Sequence, residues 1–131
     1  MTTAARHRLA DLVSARGHVV CDGAIGTMIQ AAGLDDGSCG ELWNLERPEA
    51  VVAIHEAYAS AGAVVLTTNT FGGTAPRLEL SGLGGRVAEL NREGARLAHD
   101  VASRSGILVA GDVGPTGELI EPLGTLAPER A

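Results

Sequence analysis

The sequence predicts an α/β protein built on a parallel sheet, and three observations carry that prediction. Three apolar runs, "HVVCD", "AVVLTTNTF" and "ILVAGDVGP", recur about 45 residues apart, and each ends in polar residues. A stretch of helical periodicity lies between each pair. The connections are long enough for the right-handed crossovers that parallel neighbours require.

The elements follow in order. Leu9, Leu12 and Val13, with Ala5 one turn earlier, recur at helical spacing and stop before Gly17, which predicts an amphipathic N-terminal helix. "HVVCD" reads as a short buried strand, after which "DG" leads into a helical turn. In "RPEAVVAIHEAYASAG", Pro48 occupies the first turn and Glu49 complements the helix dipole. Val51, Ile54, His55 and Tyr58 share one face of that helix, and Gly62 stops it.

"AVVLTTNTF" is β-branched and continuously apolar until its polar end, as expected of a strand buried on both faces. Val87, Leu90, Gly94, Leu97 and Val101 mark the next helix, and "ILVAGDVGP" is the third strand. The tail "GPTGELIEPLGTLAPERA" is rich in Gly and Pro with little helical periodicity, so the third strand has no completed crossover. An open doubly wound sheet and the opening strands of a (β/α)8 barrel share this repeating unit, and periodicity alone leaves both open.

Composition narrows the function classes. A chain of 131 residues fits one domain or part of one. It is 45% apolar with a net charge of −6, and its ten Lys and Arg are scattered, so neither nucleic acid nor an anionic membrane is an expected partner. No run approaches the roughly 20 apolar residues of a bilayer span, and charges interrupt the N-terminus where a signal peptide would be apolar; a cytoplasmic location is expected. The three aromatics, Trp43, Tyr58 and Phe71, leave the core to Ala, Val, Leu and Ile. Cys21 and Cys39 are too few for a disulfide framework and match no compact zinc spacing, so they read as reduced thiols.

In both α/β architectures ligands bind at the carboxyl ends of the strands, so Asp22, Asn69, Thr70 and Asp112 would converge on one face. Each of them taken singly also suits a turn or a helix cap. Their convergence is the functional signal. "DGAIGT" spaces its glycines Gly-x-x-Gly, and neither G-x-G-x-x-G nor a phosphate-binding loop occurs, which argues against nucleotide binding. His7, His18, His55 and His99 fall on helices or a strand entrance without clustering with acids or thiols, and no nucleophile elbow surrounds a Ser or Cys. Phe71, at the mouth of the second strand, suits a core or a pocket wall.

Four motifs, "DGAIGTMIQ", "ELWNLERPEAVVAIHEAYASAGA", "TTNTFGG" and "AGDVGPTGELIEPLG", appear in that order. From Val19 to Thr125 the chain resembles the start of a homocysteine S-methyltransferase domain, most closely the cobalamin-dependent methionine synthase type. The resemblance implies a (β/α)8 TIM barrel, of which residues 1–131 would be the N-terminal portion with about three βα units. A complete barrel needs about 250 residues.

It also implies methyl transfer to the thiol of homocysteine, forming methionine. In that family a zinc ion held by three cysteine thiolates takes the thiol as fourth ligand and keeps it deprotonated. Methylcobalamin is the implied methyl donor, with betaine or S-methylmethionine serving relatives. The zinc cysteines belong to Gly-x-Asn-Cys and Gly-Gly-Cys-Cys-Gly segments that are not present here, and neither Cys21 nor Cys39 matches them. The zinc ligands are therefore expected outside this chain, and the isolated chain is expected to be inactive.

Residue by residue, Asp22 and Gly23 match the family's Asp-Gly, implied to hold the amino-acid end of homocysteine. Asn69, Thr70 and Phe71 match its Asn-Thr-Phe segment at the pocket rim, and Asp112 and Gly114 match the loop after the third strand. Two competing readings stand beside this one. The chain could be a non-catalytic α/β remnant or interaction module whose open sheet edges need the missing C-terminal barrel half or a second copy. It could also be a complete small open-sheet domain for another ligand, at the cost of a thin core.

Overall fold

The computed structural model describes residues 3–35 and 37–130, with side chains from Arg8 onward. Helix α1 (Thr3–Arg16) is followed by an extended segment over residues 18–22, and α2 (Ile25–Ala31) comes next. A 3-10 turn at Gly40–Leu42 runs into α3 (Trp43–Glu46), and α4 (Pro48–Ser60) leads to β1 (Val65–Thr67). Then come α5 (Ala75–Glu79), a 3-10 turn at Gly84–Arg86, α6 (Val87–Ser105) and β2 (Leu108–Ala110). A last 3-10 turn spans Pro128–Arg130.

The sheet is parallel, as expected. β1 pairs with β2 in the register Val65↔Leu108, Leu66↔Val109, Thr67↔Ala110. On the other side of β1, Cys21 makes a single parallel bridge to Val65, fastened by Val64 N–H to Val20 O at 2.9 Å and Asp22 N–H to Val65 O at 3.0 Å. The spatial order is thus the 18–22 segment, β1, β2, with α4 and α6 as the crossovers.

α4 and α6 form where the apolar spacing places them. Pro48 begins α4, where its missing N–H has no helical partner to lose. Val51, Ile54 and His55 are buried on its inner face. α6 buries Leu90, Gly94, Leu97 and Val101 and ends at Gly106, whose φ of 66° suits a residue without Cβ; Ile107 N–H then reaches back to Ala102 O at 3.1 Å.

The two helices pack on each other. Between them lies one apolar cluster of Ile29, Trp43, Val51, Ile54 and Leu97, and behind β1 lies a second of Ala63, Leu66, Val101 and Ala102. Each large side chain fully enclosed there, such as Leu66, contributes about 1.5–3 kcal/mol.

Two expectations, on the first strand and on α1, need correction. The first strand is reduced to one bridge, because the 18–22 segment lies at the sheet edge with Val20 53% exposed, so nothing among the described residues covers a longer ladder there. The third strand is half-buried at all three positions of β2, since α6 covers it and no second layer does so among the described residues. α1 forms and stops at Gly17 as expected, yet Leu9 and Val13 remain exposed and Leu12 is only half-buried, so its apolar stripe is not packed into the core; the side chain of Ala5 lies outside the described residues.

Candidate functional site

The carboxyl ends of the 18–22 segment, β1 and β2 open onto one cavity of about 640 Å³. Asp22, Gly23, Asn69, Phe71 and Asp112 line it, together with Cys39, Glu41, Thr67, Thr68 and Arg77. Five of the seven residues singled out from the sequence are therefore brought together. Thr70 and Gly114 lie behind this wall and fasten it.

Asp22 is held by β1. Its Oδ2 accepts the backbone N–H of Thr67 and its Oδ1 the Thr67 hydroxyl, both at 2.7 Å. Each carboxylate oxygen retains a further lone pair. Gly23 follows, and a Cβ there would stand 2.9 Å from Tyr58 Oη and 3.1 Å from its Cε1, so a side chain would have to push the tyrosine ring aside. The same tyrosine hydroxyl donates to Ala24 O at 3.0 Å, so α4 pins the turn after Asp22.

Asn69 is buried and spent on structure. Its Nδ2 donates to Gly40 O at 3.0 Å and to Asn44 Oδ1 at 2.9 Å, while Asn44 Nδ2 donates back to Asn69 O at 2.9 Å and to Leu90 O at 3.2 Å. This reciprocal pair ties α3 and the Gly40 turn to the end of β1. Asn44 was missed from sequence; its only signal is one polar residue set between Trp43 and Leu45 on a helix that is otherwise apolar inward.

A second relay joins the loops after β1 and β2. Asp112 N–H donates to Thr68 Oγ1 at 2.9 Å, and Thr70 Oγ1 donates to Asp112 O at 2.7 Å. The two threonine hydroxyls are 2.6 Å apart. Because Thr70 spends its one proton on Asp112 O, Thr68 is the donor between them. Gly114 is needed for the same closure, since a Cβ there would collide with Phe71 O. Phe71 itself is 54% exposed, which makes it a wall of the cavity rather than core.

Glu41, also missed from sequence, bridges the rim: its Oε1 accepts Gly72 N–H at 2.6 Å and its Oε2 the Cys39 thiol at 3.3 Å. Burial, and then the Glu41 carboxylate, push the Cys39 thiol up from its ordinary range, so it is a neutral thiol near pH 7. Asp112 differs from the other two acids, because its carboxylate accepts no hydrogen bond from the described residues.

His55 sits on α4 within the charge field of Asp22, fully buried, with neither ring nitrogen hydrogen-bonded. Burial lowers its pKa below the ordinary 6.5, opposed by the Asp22 charge, so the ring is neutral. His18 and His99 are exposed, and the side chain of His7 lies outside the described residues.

Among the described residues no three His, Cys, Asp or Glu side chains gather into a metal-binding group. Cys21 and Cys39 do not fit a zinc site: no third ligand gathers with either among the described residues, and burial, then the Glu41 carboxylate, keeps the Cys39 thiol neutral, whereas zinc takes the thiolate. No helix among the described residues is long and apolar enough to cross a membrane.

Residues 19–130 match the family model for homocysteine S-methyltransferase. Methionine synthase from Mycobacterium tuberculosis is 37% identical over 134 aligned residues, covering 91% of this chain and 11% of that protein. Methionine synthase from Mycobacterium leprae is 37% identical over 90 residues, covering 64% of this chain and 8% of that protein. Among solved structures, the metallated homocysteine methyltransferase MmuM from Escherichia coli superposes with a TM-score of 0.71 at 28% identity, over 83% of this chain and 42% of the enzyme. Its oxidized form gives 0.70 at the same identity. The chain thus spans about a tenth of the methionine synthases it matches and about two-fifths of the solved enzyme.

Proposed function

The chain belongs to the homocysteine S-methyltransferase family, and from that premise we propose that its cavity takes homocysteine as the methyl-accepting substrate. The observation that carries this reading is the convergence of Asp22, Gly23, Asn69, Phe71 and Asp112 on one cavity at the carboxyl ends of a parallel sheet. In this reading the architecture is the opening of a (β/α)8 barrel, and the product is methionine.

The residues divide the work. Asp112, with no internal hydrogen bond from the described residues, and the remaining lone pairs of Asp22 face the substrate ammonium. Gly23 lets the backbone approach the amino-acid end, and Phe71 shields the apolar methylenes. Asn69, Thr70 and Gly114 hold these groups in place through the asparagine pair and the threonine relay.

Zinc, where a member of the family binds it, supplies a stabilised thiolate. The present residues do not fit that role, so the ligands would come from sequence beyond these 131 residues, and the isolated chain binds substrate without transferring methyl. Methylcobalamin is the donor implied by the resemblance of "GPTGELIEPLG" to the cobalamin-dependent type. The outer edge of β2, and the exposed Val113, Leu119 and Leu123 beyond it, support a further barrel half as the covering partner.

The test is an NMR titration of the 15N-labelled chain with L-homocysteine. Shifts concentrated at residues 22–24, 69–72 and 111–113, weakened by Asp112→Asn, are expected. Absence of saturable shifts in those segments would refute the reading.

A further inference from the structure

We propose that Arg77 is the specificity residue that receives the α-carboxylate of the amino acid in this cavity. This deepens the reading just given and rests on it.

Charged side chains of both signs line the cavity. Its acids are Asp22, Glu41 and Asp112, and Arg77 is its one basic residue among the described ones. Asp22 is engaged by Thr67, and Glu41 by Gly72 N–H and the Cys39 thiol. Asp112 and Arg77 are different. The Asp112 carboxylate accepts no hydrogen bond from the described residues, and the Arg77 guanidinium makes neither a hydrogen bond nor an ion pair with them. The two do not pair with each other, although both face the same space. An acid and a guanidinium that line one cavity without pairing to each other or to any described residue are the complement of a zwitterion. An α-amino acid carries its ammonium and carboxylate on one carbon, and can satisfy both.

The placement of Arg77 is tied to that of Asp112. Arg77 lies on α5, and a Cβ at Gly117 would stand 3.3 Å from its Cδ, so the side-chain stem rests on the loop that follows β2. The start of α5 is tethered to that loop as well, by Thr74 Oγ1 donating to Pro115 O at 3.3 Å. Asp112 begins the same loop. One loop therefore sets the position of both charges, and a guanidinium offers a carboxylate two parallel N–H donors.

The experiment compares two ligands on three forms of the 131-residue chain. L-Homocysteine and its decarboxylated analogue, aminopropanethiol, differ only in the carboxylate. Apparent Kd values from NMR titrations are measured for the wild type, R77Q and R77K. Arg77 is exposed, so both variants should keep the wild-type spectrum elsewhere. The expected result is about a tenfold or greater loss of homocysteine affinity in R77Q, a smaller loss in R77K, and no change for aminopropanethiol. Equal affinity of wild type and R77Q for homocysteine overturns the assignment of Arg77 while leaving the substrate reading in place. So does an equal loss for both ligands. A wild-type chain that fails to bind homocysteine overturns both.

Discussion

Asp22 accepts two hydrogen bonds from a single residue, Thr67, one from its backbone and one from its hydroxyl, each at 2.7 Å. The carboxylate thus closes the gap between the edge segment and β1 just where regular pairing stops. Asp22→Asn turns one acceptor into a donor facing an N–H, and should destabilise the chain by about 1–3 kcal/mol. Thr67→Val, which keeps the backbone bond, should cost about 1 kcal/mol. Urea unfolding monitored by circular dichroism orders the two.

Asn44→Ala removes both donors that satisfy Asn69 O and Leu90 O and leaves a hole beside Gly94. A loss of about 2–4 kcal/mol is expected. Because Asn69 is the reciprocal partner, the double variant Asn44→Ala/Asn69→Ala should be less damaged than the sum of the single ones. Strict additivity in a thermal-melt cycle would contradict the paired geometry.

His55 predicts an acid-sensitive fold. Its folded pKa lies below 6.5, so below about pH 6.5 the unfolded chain takes up a proton that the folded chain refuses. The unfolded state then binds more protons, and stability falls as pH drops from 6.5 toward the folded value. His55→Leu should abolish that component of the slope and, by removing two unsatisfied buried nitrogens, should be neutral or stabilising by about 1 kcal/mol at pH 7.5. Urea midpoints at pH 5.5 and 7.5 measure both effects.

Gly114→Ala should be far worse than an ordinary loop substitution, because the new methyl meets the carbonyl of Phe71 and either the β1 or the β2 loop must move. A loss of about 1–3 kcal/mol is expected, with Phe71 displaced from the cavity wall. Differential scanning calorimetry gives the first and the Phe71 ring resonances the second.

The crossover helices were legible because their cues are local. Pro48, the Val51–Ile54–His55 spacing and the Leu90–Gly94–Leu97–Val101 stripe each act within one helix, and tertiary packing reinforced them. The 18–22 segment was not legible as an edge, because Val19 and Val20 read as a core strand wherever a second layer exists, and only the tertiary arrangement reveals that Val20 faces out. α5 escaped notice because five residues with Pro76 near the start carry no measurable period.

At the site, Asp22, Asn69 and Asp112 were visible as polar ends of apolar runs. Glu41, Asn44 and Arg77 were not. They come from between the strands, and nothing in their own neighbourhoods reports that the chain returns them to the same cavity. Arg77 in particular reads as one more scattered surface charge until Gly117 is found beneath its stem.

The tight approaches at Gly73, Gly94 and Gly114 also bear on how a saturation mutagenesis map of this chain would read. Each of these positions faces a neighbour that resists displacement: at Gly73 the Asn91 amide, itself held by Gly73 O and Val87 O; at Gly94 the Asn44 amide, Thr70 Cγ2 and Asn69 O; and at Gly114 Phe71 O. They would return the deepest intolerance in any growth-based screen whatever the selected ligand, because what they encode is clearance. Positions that tolerate change for folding yet fail under selection for a ligand carry the chemical information, and Arg77 and Asp112 are where such a split should surface.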